Sequence, residues 1–378
     1  MAENPIEDID LSVNFDQLDD IEIIWREKYA WLKERGYQLR PRYAPDWKPS
    51  WHKTKKTPFT SADGFPLVFP QINDAIHLPS GQHVAIKLVY KSEHPTETEI
   101  LCHFSSERLR KDPRNHCIPL LEVLRPLGDE NDELVMLVMP YVRPIQTPHF
   151  DTVGEVIHCI RTLFEGLQLI HEEHVAHRDL NTNNFMMVPD KIYPKGHHPV
   201  DLDEKPDLSG PAPFYTRTQR PSKYYIIDFG ISTQYAPSDK APLADTILGG
   251  DKTVPEFQNS MAPQNPFFTD IYYAGNTVRE LFLQGCPGDN AFMGYTGVEF
   301  LQPLIDDMTQ TDPSKRPDIN VVLERFNRIV DGLSTWKLRA PVTPRGTTRV
   351  RRIHRMLLHW GRKVVYIVTR TPAIPEPQ

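Results

Sequence analysis

Ile21, Ile24, Trp25, Lys28, Trp31 and Leu32 fall at helical spacing, and Gly36 follows at a position suited to ending a helix. The pattern predicts an amphipathic helix that packs on something. Residues 36–51 change character: aromatics, prolines and arginines alternate, which suits an extended strap over a surface. Val84-Ala85-Ile86-Lys87 reads as a strand whose alternation sets Lys87 on one face with Ala85. A short loop separates it from Glu97-Thr98-Glu99-Ile100-Leu101, the start of a helix. Leu134-Val135-Met136-Leu137-Val138-Met139 is an unbroken apolar run of strand length. From Val153 to His171 apolar residues recur every three or four positions, which predicts a long helix. Phe185-Met186-Met187-Val188 and Tyr224-Tyr225-Ile226-Ile227 read as two further short strands. Residues 189–222 between them are rich in Pro, Asp and Lys, a composition that predicts a mobile surface loop. Near the C-terminus, Val350, Ile353, Leu357, Trp360, Val364 and Ile367 predict one more amphipathic helix.

Composition narrows the picture. The 378 residues suit one large domain with extensions, or two ordinary domains. The 36 prolines agree with long irregular segments. Cys102, Cys117, Cys159 and Cys286 have no paired spacing, which argues against a disulfide framework or a zinc knuckle and for a reduced, intracellular protein, cytoplasmic or nuclear. No basic-then-apolar leader opens the chain, and no apolar run reaches the ~20 residues that span a bilayer. The net charge of −7 gives no sign of general nucleic-acid binding, but it hides an asymmetry. Residues 1–22 carry Glu3, Glu7, Asp8, Asp10, Asp16, Asp19, Asp20 and Glu22 without a Lys or Arg, as a solvated tail would. Lys337 to Arg370 holds ten Lys or Arg and no Asp or Glu.

The densest chemistry lies in His177-Arg178-Asp179-Leu180-Asn181-Thr182-Asn183-Asn184. The stretch fits H-R-D-L-x-x-x-N, with Asp179 and Asn184 at D-x-x-x-x-N spacing. Asp228-Phe229-Gly230 follows a predicted strand, and Val84-Ala85-Ile86-Lys87 precedes both at a suitable distance. Val254-Pro255-Glu256, Asp270-Ile271-Tyr272-Tyr273-Ala274-Gly275 and Asp312-Pro313-Ser314-Lys315-Arg316-Pro317 come later in the same order as A-P-E, D-x-W-S-x-G and D-P-x-x-R-P. Together these motifs resemble the eukaryotic protein kinase family over residues 61–335. The resemblance implies an α+β, two-lobed fold, with a β-rich N-lobe over 61–139 and a helical C-lobe over 145–335. It also implies ATP and Mg²⁺. Lys87 would hold the α- and β-phosphates, braced by Glu97, with Glu99 the alternative. Met139, Pro140 and Val142 would line the adenine site. Asp179 would be the catalytic base, and Asn184 and Asp228 the metal ligands. Phe229 would pack with Leu101, Leu121 and His177. Arg178, Gly230, Glu256, Asp270 and Arg316 would be structural, with Glu256 paired to Arg316 and Asp270 bracing the catalytic loop.

The match has two gaps. Counted back from Lys87, the three glycine positions of G-x-G-x-x-G are Phe65, Leu67 and Pro70, which cannot bring bare backbone N–H groups to phosphates as glycines do. Asn181 stands where a Lys would contact the γ-phosphate. The expectation is therefore a protein kinase acting on a protein hydroxyl, Ser or Thr rather than Tyr. The alternatives are a pseudokinase scaffold and, more distantly, a small-molecule phosphotransferase. Arg178 invites an acidic or phosphorylated segment, with Thr233, Ser238, Thr246 and Thr253 as candidates. His171 and His177 read as packing or hydrogen-bonding histidines, and His197-His198 as part of the surface loop. The strap within residues 1–60 resembles, more loosely, a segment before the kinase domain in expanded kinase-like proteins of mushroom-forming fungi. The basic tail, 336–378, is expected to dock on the large lobe or the acidic end, with acidic partners, a membrane surface or, less favoured, nucleic acid as further options.

Overall fold

A computed structural model describes residues 14–126, 133–239, 241–247, 250–258, 262–285 and 292–377. Glu3, Glu7, Asp8, Asp10 and Cys286 lie outside them. The architecture is mixed α+β, with small antiparallel sheets and several helices.

Helix α1, Asp20–Glu34, opens with the Asp19 N–H donating to Glu22 Oε2 at 3.2 Å. Gly36 then turns the chain with a φ of +90°, a conformation glycine takes without Cβ strain. The next three residues, β1 (Tyr37–Leu39), enter the main sheet and pair with β2 (Ile72–His77). The strap expected outside the β-rich part therefore contributes an edge strand to it. Residues 40–71 form the connection between these two strands, in place of a tight loop. β2 runs back against β3 (Gln82–Tyr90), which is followed by α2 (Glu97–Phe104), the short α3 (Glu107–Arg110), β4 (Glu122–Leu124) and β5 (Leu134–Pro140). The sheet order is β1-β2-β3-β5-β4, antiparallel throughout.

Alternation along β3 and β5 gives the sheet two buried faces. Val84, Ile86, Leu88, Met136 and Val138 pack with Trp25 and Leu32 of α1. Val89, Val135, Leu137 and Met139 turn the other way and join Ile100, Leu101 and Phe104 of α2 in the main core. The long connection is tied down by polar contacts. The Arg42 guanidinium, fully buried, forms a double hydrogen bond to Glu22 at 2.8 and 2.9 Å. Asp63 accepts from Ser50 Oγ at 2.5 Å and Trp47 Nε1 at 2.8 Å. Arg40 pairs with Asp74 of β2 at 2.9 Å.

The remainder is mainly helical. β6 (Arg143–Pro144) leads to α4 (Val153–Glu172), capped by Thr152 and buried along most of its length. Then come β7 (Val175–Ala176), β8 (Phe185–Met187), β9 (Tyr224–Ile226) and β10 (Thr233–Gln234). β6, β8 and β9 form one small sheet, and β7 pairs with β10. α5 (Pro266–Val278) continues into a π-helical turn, Arg279–Gln284. β11 (Tyr295–Thr296), α6 (Gln302–Met308), α7 (Ile319–Asp331), α8 (Thr335–Leu338), β12 (Thr343–Pro344) and α9 (Arg349–Val368) complete the chain. No helix among the described residues is long and apolar enough to cross a membrane.

Residues 189–222 are not the loose loop their composition predicts. Arg217 is fully buried, donates to the carbonyls of Pro148 and Ile145 at 2.5 and 2.6 Å, and stacks over Phe150. Thr218 donates twice to Glu155 on α4, each time at 2.8 Å. His198 reaches the Ala62 carbonyl at 3.2 Å and packs on Phe65, so the insertion bridges the helical part and the long β1–β2 connection.

Candidate active site

The sheet, the α4–β8 region and β9 each deliver one part of a single polar cluster. Lys87, on the inward face of β3, sits between two carboxylates. Its Nζ is 2.7 Å from Glu97 Oε1 and 2.9 Å from Asp228 Oδ1. Glu97 occupies the first turn of α2 and is buried, whereas Glu99 is exposed. Burial alone would lower the Lys87 pKa, but the two carboxylates outweigh it and hold that pKa above the ordinary lysine value. Burial would likewise raise Asp228, and the Lys87 charge keeps it below the usual carboxylate range. Burial pushes the Glu97 carboxyl up against the opposing pull of Lys87.

Asp179 lies in the loop between β7 and β8. Its Oδ1 accepts from Asn181 Nδ2 at 2.8 Å and its Oδ2 from Asn184 Nδ2 at 2.9 Å. Burial raises its pKa, the Asp228 charge adds to this, and His177 and the two amides oppose it. The loop backbone is strained at Arg178, with φ of +69°. Asp270, fully buried in α5, stabilises this turn by accepting from the N–H groups of His177 and Arg178, both at 2.7 Å. Thr277, also on α5, donates to the Leu180 carbonyl at 3.0 Å. The Asp228 loop is joined to it directly: His177 Nε2 lies 3.1 Å from the Ile227 carbonyl, and the Ile227 N–H donates to the Asn184 carbonyl at 2.9 Å. Asp228 itself has φ of +64°, with Gly230 N–H donating back to its Oδ1 at 3.2 Å. Farther out, Arg316 binds Glu256 through both terminal nitrogens, at 2.6 and 2.7 Å.

Phe229 packs 5.0 Å from the His177 ring and 5.6 Å from Phe104, ring centre to ring centre. Leu101 is buried in the same core. Leu121 is not there: it is 50 % exposed, and Leu120 is the buried neighbour. Phe104 follows Glu97 and Leu101 at i+7 and i+3, so helical spacing alone would have named it. Two further links escaped the sequence reading. His94 Nδ1 is 2.9 Å from the Gly230 carbonyl, and Thr96 Oγ1 donates to the Ser232 carbonyl at 3.0 Å. These residues precede α2 in a short irregular loop, where no periodicity marks them.

At the C-terminal end of β5, Met139 stands opposite Ala85 in the β3–β5 register, and Pro140 opposite Val84. Tyr141 N–H donates to the His83 carbonyl at 3.2 Å and its ring stacks on His83, while Val142 packs half-buried against the core. The three positions that stand in for the motif glycines, Phe65, Leu67 and Pro70, are fixed by other means. Phe65 is buried and its carbonyl accepts from Arg40, and the Pro70 carbonyl accepts from Trp25 Nε1 at 3.0 Å. Leu67 packs against the α1 side of the sheet.

The segment after Asp228 folds back over the cluster. Arg178 donates to Thr233 Oγ1 at 3.0 Å and to the Asp245 carbonyl at 2.8 Å, so its guanidinium faces backbone and hydroxyl rather than a carboxylate. Gly250 then passes so close that a Cβ on it would fall 1.7 Å from Asp179 Oδ1, and its φ of +48° also favours glycine. Asp228 keeps 41 % of its side chain exposed, so it and the Asn184 amide oxygen offer two hard oxygen donors on one loop pair. Such a pair suits Mg²⁺, which completes its shell with phosphate oxygens and water rather than an all-protein cage. No group of three or more His, Cys, Asp or Glu among the described residues forms a fuller metal site. Comparison with protein-family models and with curated proteins gives no match to the chain.

Proposed function

We propose that the chain is an ATP- and Mg²⁺-dependent protein kinase, with a two-lobed kinase fold, that phosphorylates Ser or Thr hydroxyls of a protein. The observation that carries the reading is the continuous arrangement Glu97–Lys87–Asp228 beside Asp179 and Asn184. Phosphoryl transfer asks for a cation on the nucleotide phosphates, oxygen ligands for Mg²⁺ and a carboxylate at the attacking hydroxyl. Here Lys87 positions the α- and β-phosphates and Glu97 holds Lys87. Asn184 and Asp228 would hold Mg²⁺, which offsets the charge spread over the phosphoryl oxygens. Asp179 orients the hydroxyl and takes its proton, and its raised pKa favours proton acceptance. Ala85, Met139, Pro140 and Val142 form the adenine side. The free Cys102, Cys117 and Cys159 favour a reduced compartment, cytoplasm or nucleus.

A second reading is a pseudokinase that binds partners without transferring phosphate. Gly250 pressed on Asp179, Asn181 in place of a lysine and the proline-bearing 65–70 segment favour it. Mg·ATP binding and radiolabel transfer, measured for the wild type and Asp179→Ala, separate the two. Transfer by the wild type that disappears in Asp179→Ala is the expected result. A wild type that neither binds nucleotide nor labels any protein sinks the enzyme reading, and labelling that survives in the variant removes Asp179 as the base.

A further inference from the structure

The tail helix α9 is mounted inside out. Its polar stripe, Arg355, His359, Arg362 and Tyr366, recurs at spacings of four, three and four and faces the protein. Arg355 donates to the Phe150 carbonyl at 3.2 Å. Arg362 binds both oxygens of Asp151, at 2.8 and 3.2 Å. Tyr366 Oη meets Thr216 Oγ1 at 3.0 Å. His359 and Lys363 are buried, and the Lys363 ammonium stacks on Trp336 and Trp360. The docking expected for this helix therefore occurs, but through the face opposite to the apolar one.

That leaves the apolar stripe outward. Val350, Ile353, Leu357, Trp360, Val364, Ile367 and Val368 are each 44–79 % exposed, and Trp336 beside them is 59 % exposed. The stripe runs the full length of a 20-residue helix. Arg349, Arg351, Arg352 and Arg370 flank it, all exposed, and no acidic residue occurs between Lys337 and Arg370. Contiguous exposed apolar surface of this kind marks an interaction site.

We infer that this face docks on an anionic lipid surface, with α9 lying in the plane of the interface. Charge complementarity selects the occupant. A second copy laid on the stripe would bring its own basic rim against this one, like charge on like charge. A bilayer rich in anionic headgroups satisfies both features, taking the apolar stripe into the acyl boundary and the arginines at the phosphates. Trp360 and Trp336 suit the headgroup level, where an indole is half apolar and half wet. Because the polar stripe is already bonded to the body, the helix arrives folded and its orientation is set by Asp151, not by the lipid.

The test uses full-length protein and sedimentation with vesicles of phosphatidylcholine alone, or with about 30 % phosphatidylserine. Expected is co-sedimentation with the anionic vesicles, weakened at least about tenfold without phosphatidylserine or in about 0.5 M salt. Leu357→Glu/Val364→Glu should abolish it while leaving the far-UV circular dichroism and melting temperature unchanged. If that variant loses helix, Val350→Glu/Val368→Glu replaces it, at the two most exposed positions of the stripe. Failure of the wild type to bind anionic vesicles overturns the inference. So does a variant that binds as well as wild type, since charge alone would then suffice. A wild-type dimer in light scattering that the variant turns into a monomer would assign the stripe to a second copy instead.

Discussion

Asp179 is pulled in two directions, and both can be measured. Burial and the nearby Asp228 raise its pKa, while hydrogen bonds from Asn181 and Asn184 stabilise the charged form. A base works only when deprotonated, so a raised pKa moves the acid limb of kcat/KM to higher pH. For the proposed kinase, that limb should lie above the value of about 4 for a free Asp. Asn181→Ala removes one stabilising donor and should move the limb further up. A limb at or below the free value, or one indifferent to Asn181→Ala, would separate the limb from Asp179. The same residue permits a gain-of-function test. A cation at position 181 would meet charge that develops on the transferred group, an effect worth roughly 2–4 kcal/mol at comparable sites. Asn181→Lys should therefore raise labelled transfer by at least about tenfold in kcat with little change in KM. No gain would show that the missing lysine is not what limits the rate.

At the scale of elements, the contacts that the chain hides best are the ones between distant polar residues. Lys87, Asp179, Asn184 and Asp228 could be named in advance because their spacing belongs to recurrent motifs, and β3, β5 and α4 because their apolar periods are long. β1 could not be named: three residues in a stretch rich in arginine and proline become a strand only because β2 offers an edge. Leu121 was expected beside Phe229 because the kinase resemblance placed it there, yet Leu120 takes the inward place. The 189–222 insertion looked loose because composition reports polarity and not the partner that satisfies it. Arg217 is polar and also among the most buried residues in the protein. Arg217→Ala would leave the carbonyls of Ile145 and Pro148 unpaired, and should cost about 3 kcal/mol in denaturant unfolding. A loss under about 0.5 kcal/mol would return the insertion to the surface-loop reading. Asp74 gives a pH-dependent counterpart. Burial opposes its charge, but Arg40 and His83 hold its pKa below the ordinary Asp value. Its contribution is thus complete above the unfolded pKa of about 4, and is lost as pH falls through the lower folded value. Asp74→Asn should destabilise at neutral pH by about 3 kcal/mol and flatten the stability curve below about pH 4. An acid limb unchanged in the variant would assign that sensitivity to other carboxylates.

For the whole molecule, the C-terminal segment decides whether the body ends at α7 or includes everything after it. Charge and periodicity showed that α9 is amphipathic, but a period cannot say which stripe faces inward. The contacts show a layered closure. The Ala340 carbonyl accepts from Val153 N–H at 3.0 Å and so takes a free donor from the first turn of α4. Val342 is buried, and β12 pairs with β11. Arg362 then covers Asp151, and the chain beyond α9 brings the Ala373 carbonyl so near Gly154 that no side chain would fit there. Removal of 337–378 deletes the buried Val342 and uncovers the α4 start and the buried Asp151 at once. Loss of these contacts should lower the melting temperature by about 10 °C or more, with aggregation on heating. A shorter cut that removes only 349–378 keeps Ala340, Val342 and β12, and should fall between the two. A deletion of 337–378 that melts with the wild type would mean that the segment serves partners alone. The graded pair divides the tail by position: the stability lost on removing 349–378 belongs to the inward polar stripe of α9 and the chain beyond it, and the further loss on removing 337–378 belongs to Ala340, Val342 and β12.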